Sequence, residues 1–285
     1  MYKRQGKKLD ADQPDLWLQS INSVEADDIA ILVYTSGTTG PSKGAMINHK
    51  NLLYSVNTGL EIFEAREHEE QLSFLPLCHI LERSVSVMFP LKTGAVVNFA
   101  ESIDTVPENI REVSPTVFVA VPRIWEKFYS SITILMKDAT FVGRYLYNLS
   151  INTGAKYKEY FIEGKEPPLK LKLMFWICNQ LVLKNIKKLL GLNNCRYALS
   201  GAAPISPELI NWYLSLGIDM REGWGMTETA GVGTAFYSRE IKLGHVGRAV
   251  NNSEVRIADD GEILFKGPGV FLSLIHISEP TRQKP

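Results

Sequence analysis

Val33 to Met46 reads VYTSGTTGPSKGAM, a stretch carrying the hydroxyls of Thr35, Ser36, Thr38 and Thr39, three glycines and a single lysine. It follows the apolar, β-branched run Asp28 to Tyr34 (DIAILVY), which predicts a buried strand. A Walker A loop would need Gly-Lys-Ser/Thr after its spacer. Here Ser42 precedes Lys43 and Gly44 follows it, so that pattern fails. No G-x-G-x-x-G occurs, so the dinucleotide fingerprint fails too. The chemistry still points to phosphate. Glycines let backbone N–H groups approach an anion closely, the hydroxyls add donors, and Lys43 supplies one point charge. One lysine suits an anion that has to leave again. The same composition also makes a polar surface turn.

Outward from this loop, Leu52, Leu53, Val56, Leu60 and Phe63 recur at helical spacing, predicting a helix over 49–63. Leu72 to Leu75, Ala95 to Phe99, Thr116 to Val121, Arg196 to Leu199 and Ile218 to Arg221 read as further strands. Trp125 to Tyr147 and Leu169 to Leu190 read as helices. Ser206-Pro207-Glu208 starts another, which Gly217 stops. Strand, loop and helix in succession predict an α/β fold with mostly parallel sheets, whose ligand sits at the carboxyl ends of the strands. Glu254 to Phe265 alternates around Asp260-Gly261 and predicts a β-hairpin of a small β subdomain.

Composition excludes several classes. Lys+Arg and Asp+Glu number 31 each over 285 residues, so no electrostatic case for nucleic acid exists. Cys78, Cys178 and Cys195 are scattered, as are the five histidines, and neither set shows metal-ligand spacing. That cysteine usage suits a reducing, cytoplasmic compartment. The apolar segment Ser84 to Ala100 is interrupted by Lys92 and Gly94, too soon to span a bilayer. The lysine-bearing LKLKLMFWICNQLVLKNIKKLL (169–190) could rest on a membrane surface as a peripheral contact. Its nearly continuous apolar content favours a core helix with lysines turned to water.

The two ends read differently from the rest. LSLIH at 272–276 and MYKRQ at 1–5 can be encoded by opposite strands of one DNA segment, and LSLIHISEPTR resembles a translated library adapter. Residues 1–5 and 272–285 are therefore expected to be adapter-derived scars. Residues 6–250 are expected to form one α/β region, and 251–271 the hairpin of the β subdomain.

TSGTTGPSKG resembles the signature loop of the AMP-forming acyl-CoA synthetases, in the adenylate-forming superfamily. Other stretches agree in order: SFLPLCHILER (73–83), SPTVFVAVPRIWEKF (114–128), RYALSGAAPISPEL (196–209), REGWGMTET (221–229), and GHVGRAV with DGEILFKGPGVF (244–271). VPR-x-W-EK is most similar to the long-chain fatty acid branch. The resemblance covers nearly all of 25–271. It implies part of the large N-terminal domain of the adenylate-forming fold and a two-step ligase. A carboxylate attacks the α-phosphate of ATP, giving acyl-adenylate and pyrophosphate; coenzyme A thiol then takes the acyl group and AMP leaves. A ligase for a medium-chain or aromatic acid, or a non-catalytic nucleotide- or lipid-binding module, stays open.

By that resemblance Thr35, Ser36, Gly37, Thr38, Thr39, Gly40 and Lys43 would hold the β- and γ-phosphates, Thr227 the α-phosphate, and Glu228 would ligate Mg²⁺. Gly201, Ala202, Ala203 and Pro204, with Gly223 and Trp224, would form the adenine site. Trp224 stands where the family usually has tyrosine; an indole can stack on a base but lacks the phenolic hydroxyl. His79 and Gly225 would lie on the carboxylate side. Catalytic roles would fall to Lys43, His79, Thr227 and Glu228, with His79 orienting the carboxylate rather than removing a proton, since that acid is already ionised. The bland readings are a solvated acid for Glu228, a core residue for Trp224 or His79, and a local ion pair for Glu82 and Arg83. Family members continue to a ribose-binding aspartate and a mobile C-terminal domain carrying a catalytic lysine. Neither is in this sequence, so the parent protein is expected to be the ligase and this chain nearly inactive in ATP–pyrophosphate exchange. Oligomeric state is not legible.

Overall fold

The structure, a computed structural model, describes residues 2–35, 43–66, 68–237 and 241–275. Helices α1 (Tyr2–Asp12) and α2 (Leu16–Asn22) precede strand β1 (Ile29–Thr35). The expected parallel strand–loop–helix arrangement fails here. A second strand, β2 (Lys43–Asn48), returns antiparallel, with Thr35 opposite Lys43. β2 escaped the sequence reading because its buried residues, Gly44, Ala45, Ile47 and Asn48, do not alternate and only two of them carry apolar side chains. β1 is an edge strand rather than a buried one: Val33 is enclosed, while Ile29, Leu32 and Tyr34 are exposed.

Helix α3 (His49–Phe63) matches its expected span, and its start has a clear cause. Asn48 Oδ1 accepts from Asn51 N at 2.8 Å while Asn51 Oδ1 accepts from Asn48 N at 3.2 Å, a reciprocal cap that satisfies two orphan donors. Strands β3 (Glu70–Ser73) and β4 (Val96–Phe99) pair in parallel. Between them run α4 (Ile80–Arg83), a π-helical turn at Ser84–Met88, and α5 (Phe89–Thr93). α6 (Val106–Val113) leads to β5 (Val117–Ala120), whose four residues are all buried.

The helix expected over 125–147 is two. α7 (Pro122–Lys137) ends before Thr140, whose hydroxyl accepts from Gly143 N at 3.1 Å and opens α8 (Phe141–Ile162). The helix expected over 169–190 is also interrupted: α9 (Leu169–Cys178), a π turn at Asn179–Leu183, then α10 (Lys184–Leu189). β6 (Tyr197–Ser200), α11 (Pro207–Ser215) and β7 (Met220–Glu222) follow. Ser206 Oγ accepts from Leu209 N at 3.2 Å, the cap read from the sequence. β5, β6 and β7 form one parallel sheet in that order, as expected.

β8 (Thr234–Ala235) and β9 (Arg248–Ala249) form a short antiparallel pair. The expected hairpin is β10 (Glu254–Ile257) with β11 (Ile263–Lys266). Leu272 onward, set aside from fold reasoning, contributes β12 (Ser273–Ile275), which pairs antiparallel with β2. Among the described residues no helix is long and apolar enough to cross a membrane.

The main core lies around β5. The Phe118 ring meets Trp125 edge-on at 5.3 Å, and Trp125 meets Tyr213 at 5.1 Å. Both polar handles are satisfied: Trp125 Nε1 donates to Ala120 O at 3.2 Å and Tyr213 Oη to Trp125 O at 2.8 Å. Arg196 ties three elements together by pairing with the buried Glu69 and donating to the carbonyls of Phe63 (2.9 Å) and Glu64 (3.2 Å) at the end of α3. These are helix-terminal acceptors that would otherwise lack partners.

Candidate active site

Two loops leave the carboxyl ends of β6 and β7 side by side, joined by Gly223 N donating to Ser200 O at 3.0 Å. One carries Gly201–Pro204, with Ala202 at φ +67°; the other carries Gly223–Thr229, ending in a 3₁₀ turn at Thr227–Thr229. They border a cavity of about 240 Å³. His79, Gly201, Ala202, Gly223, Trp224, Gly225 and Thr227 all line it, so seven residues singled out from three separate motifs converge on one space. Most of the rest of the lining is apolar, with Val56, Ile62 and Phe63 of α3, Val85 of the π turn and Phe89 of α5 among it, while Ser55, Ser84 and Thr234 add hydroxyls. The cavity therefore joins small residues on the two loops to a largely hydrocarbon wall.

Gly225 and Gly233 permit that shape. A Cβ on Gly225 would stand 2.3 Å from Gly231 O, and one on Gly233 would stand 2.5 Å from the Trp224 ring. The indole thus lies against bare backbone. It is half-buried and lines the cavity, which sets aside the fully enclosed core reading. His79 is exposed at the start of α4, so it is not an enclosed core histidine either. The alternative reading of Glu82 and Arg83 as a local ion pair finds no such pair among the described residues. Glu82, buried, accepts from Ser73 Oγ and from Ser86 Oγ (2.7 Å), while Arg83 Nε donates to Leu77 O at 3.0 Å. Successive positions on a helical turn point apart, which is why neighbours in sequence did not pair.

The remaining expected residues fall around the cavity rather than on its wall. Ala203 and Pro204 belong to the same exposed turn as Ala202. Glu228 is half-buried on the 3₁₀ turn, and its carbonyl accepts from Phe271 N at 3.0 Å. Thr35 and Lys43 face each other at the root of the β1–β2 hairpin, where Thr35 Oγ1 donates to Lys43 O at 3.4 Å. Ser36, Gly37, Thr38, Thr39 and Gly40 lie outside the described residues. A small apolar cluster of Val33, Ile47, Leu52, Ile80 and Ala230 joins that hairpin to the residues next to His79 and to the 227–229 turn. The three motif regions thus share one packed base.

Three features escaped the sequence reading. Ser84 lines the cavity with a buried hydroxyl that has no partner among the described residues. It sits on the π turn, a geometry frequent at functional sites and invisible in an apolar run such as SVSVMF. Glu222, immediately before Gly223, is buried; burial pushes its carboxyl up, offset in part by Ile205 N donating at 3.4 Å. The apolar stripe of α3 was legible, but nothing in its spacing said that it faces a cavity.

At the opposite, amino-terminal end of the same sheet lies a second cavity of about 440 Å³, bordered by Arg66, Lys158, Arg196, Asp219 and Arg221. Ile62 and Phe63 line both cavities. Arg221 stacks over the Tyr197 ring at 4.7 Å and pairs with Asp219 at 2.7 Å. Among the described residues no group of three or more His, Cys, Asp or Glu side chains could hold a metal by itself.

A cavity bordered by loops at the carboxyl ends of a parallel sheet is where α/β enzyme domains usually take their ligands. The chain belongs to the AMP-binding enzyme family, which it matches over residues 2–274. It is 33% identical over 289 residues to the long-chain-fatty-acid–CoA ligase ACSBG2 of Gallus gallus, covering 96% of this chain and 37% of that protein. It is 34% identical over 253 residues to the long-chain-fatty-acid–CoA ligase FadD15 of Mycobacterium bovis, covering 87% of this chain and 41% of that one. The chain thus spans about two fifths of the length of these relatives. In fold it is similar to the o-succinylbenzoate coenzyme A synthetase of Bacillus subtilis in complex with AMP, at TM-score 0.59 and 22% identity, covering 88% of this chain and 43% of that one. It is also similar to MatB of Rhodopseudomonas palustris, at TM-score 0.61 and 23% identity, covering 88% and 42%.

Proposed function

We propose that the parent protein activates a long-chain fatty acid through an acyl-adenylate and transfers the acyl group to coenzyme A, with the 240 Å³ cavity as the adenylate and acyl site. The observation that carries this reading is the union of small-residue loop positions and a largely apolar wall in a single cavity. The turn at 201–204 and the Trp224 indole receive adenine, Thr227 donates to the α-phosphate, and Lys43 with the 35–40 segment holds the departing phosphates. His79, exposed at the mouth, orients the carboxylate for in-line attack. The hydrocarbon tail then lies along Val56, Ile62, Val85 and Phe89. The lone Glu228 carboxylate fits Mg²⁺ held jointly with nucleotide phosphates, since that ion takes one or two carboxylates and completes its shell with phosphate oxygen and water. When bound, the ion neutralises charge on the phosphates. The thiolester partner is coenzyme A, and the free cysteines fit a reducing cytoplasm.

Titration calorimetry of the 285-residue chain with Mg-ATP tests the assignment. A lost hydrogen bond to a charged group is worth about 1.5–3 kcal/mol, so Thr227→Ala and Lys43→Ala should each weaken binding by roughly 10- to 100-fold. Equal affinity for the chain and both variants removes the phosphate site. Displacement of a fluorescent fatty acid by palmitate but not by benzoate would assign the apolar interior to long chains.

A further inference from the structure

The structure bears out the core-helix reading of residues 169–190 on one face only. One face of α9 does pack inward: the Phe175 ring stacks on Tyr157 of α8 at 4.2 Å and Cys178 is buried. A second apolar stripe, running from α9 into the π turn, faces out. Leu169, Leu173, Trp176, Ile177 and Leu181 follow one another at i, i+4, i+7, i+8 and i+12, and they are 82, 58, 59, 42 and 62% exposed. Such spacing places them on one side of a helix. A side chain left this open forfeits the burial that normally makes a leucine or tryptophan stabilising, so a stripe of five calls for an occupant.

Charge decides which occupant. Residues 169–190 contain five lysines and no aspartate or glutamate. Lys172 is paired with Glu166, but Lys184 and Lys188, both exposed, have no carboxylate at ion-pair distance among the described residues. A protein partner's interface core is depleted of lysine. An anionic lipid surface wants the reverse: apolar side chains entering the acyl boundary, an indole at the headgroup level, and lysines reaching phosphates. We infer that the outward face of α9 and α10 docks on anionic bilayers. The helix lies in the interface and does not span it, consistent with the absence, among the described residues, of a helix that could. This inference does not depend on the ligase assignment.

Co-sedimentation of the 285-residue chain with phosphatidylcholine vesicles, with and without phosphatidylglycerol, tests it. Binding should appear only with the anionic lipid and fall as salt rises. Each lysine near such a surface contributes about fivefold in partitioning, so the Lys184→Glu/Lys188→Glu double variant should bind at least about 25-fold more weakly. Leu173→Glu should abolish the vesicle-induced blue shift of tryptophan emission, and Trp176→Phe should remove most of that shift. Far-UV melting curves check that the variants fold; if Leu173→Glu does not, the lysine pair decides. Equal partitioning onto both vesicle types overturns the inference, as does unchanged binding by the lysine variant. A blue shift that grows with protein concentration in vesicle-free buffer also overturns it, because the stripe would then belong to a second copy of the chain.

Discussion

Gly225→Ala is the sharpest probe of the cavity wall. The new methyl would sit 2.3 Å from Gly231 O, 2.7 Å from Gly231 C and 2.9 Å from Val232 Cα. Ordinary contact begins at 3.4 Å, so the two backbone segments must separate by about 1 Å. All three obstructing atoms are main chain, so no rotamer change relieves the clash. The segments are also clamped by Gly231 N donating to Met226 O at 3.0 Å. Overpacking costs about 1–3 kcal/mol and a stretched hydrogen bond about 1 more, a total of about 2–4 kcal/mol. At about 2–4 °C per kcal/mol for a chain of this order, melting should fall by roughly 5–15 °C. The displaced strip carries Trp224 and Thr227, so Mg-ATP affinity should fall more than stability alone explains. Gly59→Ala is the matched control. Its methyl meets only the Phe63 ring at 3.7 Å, and alanine favours a helix interior by about 1 kcal/mol, so this variant should melt slightly higher. Differential scanning fluorimetry and calorimetry on both variants give the answer. If Gly225→Ala melts and binds nucleotide as the parent chain does, the close approach of 225 and 231 is not what shapes the cavity.

Two further perturbations address charge. Burial raises the Glu69 carboxyl, but hydrogen bonds from Arg196 and Thr116 and the guanidinium charge overcome this and leave it below the ordinary value. A lowered carboxyl contributes stability above its unfolded value, and that contribution is lost as pH falls through the folded value. Arg196→Ala, which strands the buried acid, should cost about 3–5 kcal/mol near neutral pH and progressively less in acid, a trend that urea titrations across pH can follow. Glu222 carries the opposite sign. Its raised carboxyl costs stability as pH climbs past the unfolded value, so Glu222→Gln should raise the melting temperature at neutral pH and lose that advantage at pH 4. An unchanged difference between the two pH values would show that burial does not raise the Glu222 carboxyl.

Local signals carried far in this chain where the responsible residues are adjacent. The Ser206 cap, the Asp260-Gly261 turn and the full extent of α3 were all legible because capping and turn chemistry act within a few residues. The breaks in long helices were not. Thr140 reads as an ordinary interior threonine until its hydroxyl is seen to receive Gly143 N, and the π turns have no composition of their own. β2 was missed because its pattern is set by its partners, β1 and β12, rather than by alternation along KGAMIN. The motif residues His79, Thr227 and Trp224 were identifiable singly from the family resemblance. That they share a cavity with α3, while Lys43 stands off at a hairpin root, is a matter of tertiary placement that spacing does not encode. Exposure of the α9 stripe was hidden for the same reason. Continuous apolar composition cannot distinguish a helix buried on all sides from one with an inward and an outward greasy face.

Ile62 and Phe63 form a partition one side chain thick, with hydrocarbon on one flank and ion pairs on the other. The Phe63 ring is braced edge-on by Phe89 at 5.9 Å and by Tyr197 at 4.8 Å, and its own carbonyl is gripped by Arg196. Trimming it would not simply deepen the oily chamber. The breach would admit water and open the apolar cavity onto the guanidinium groups of Arg196 and Arg221, a wet, charged compartment instead of more grease. The ceiling on what the chamber holds is therefore dielectric as much as steric.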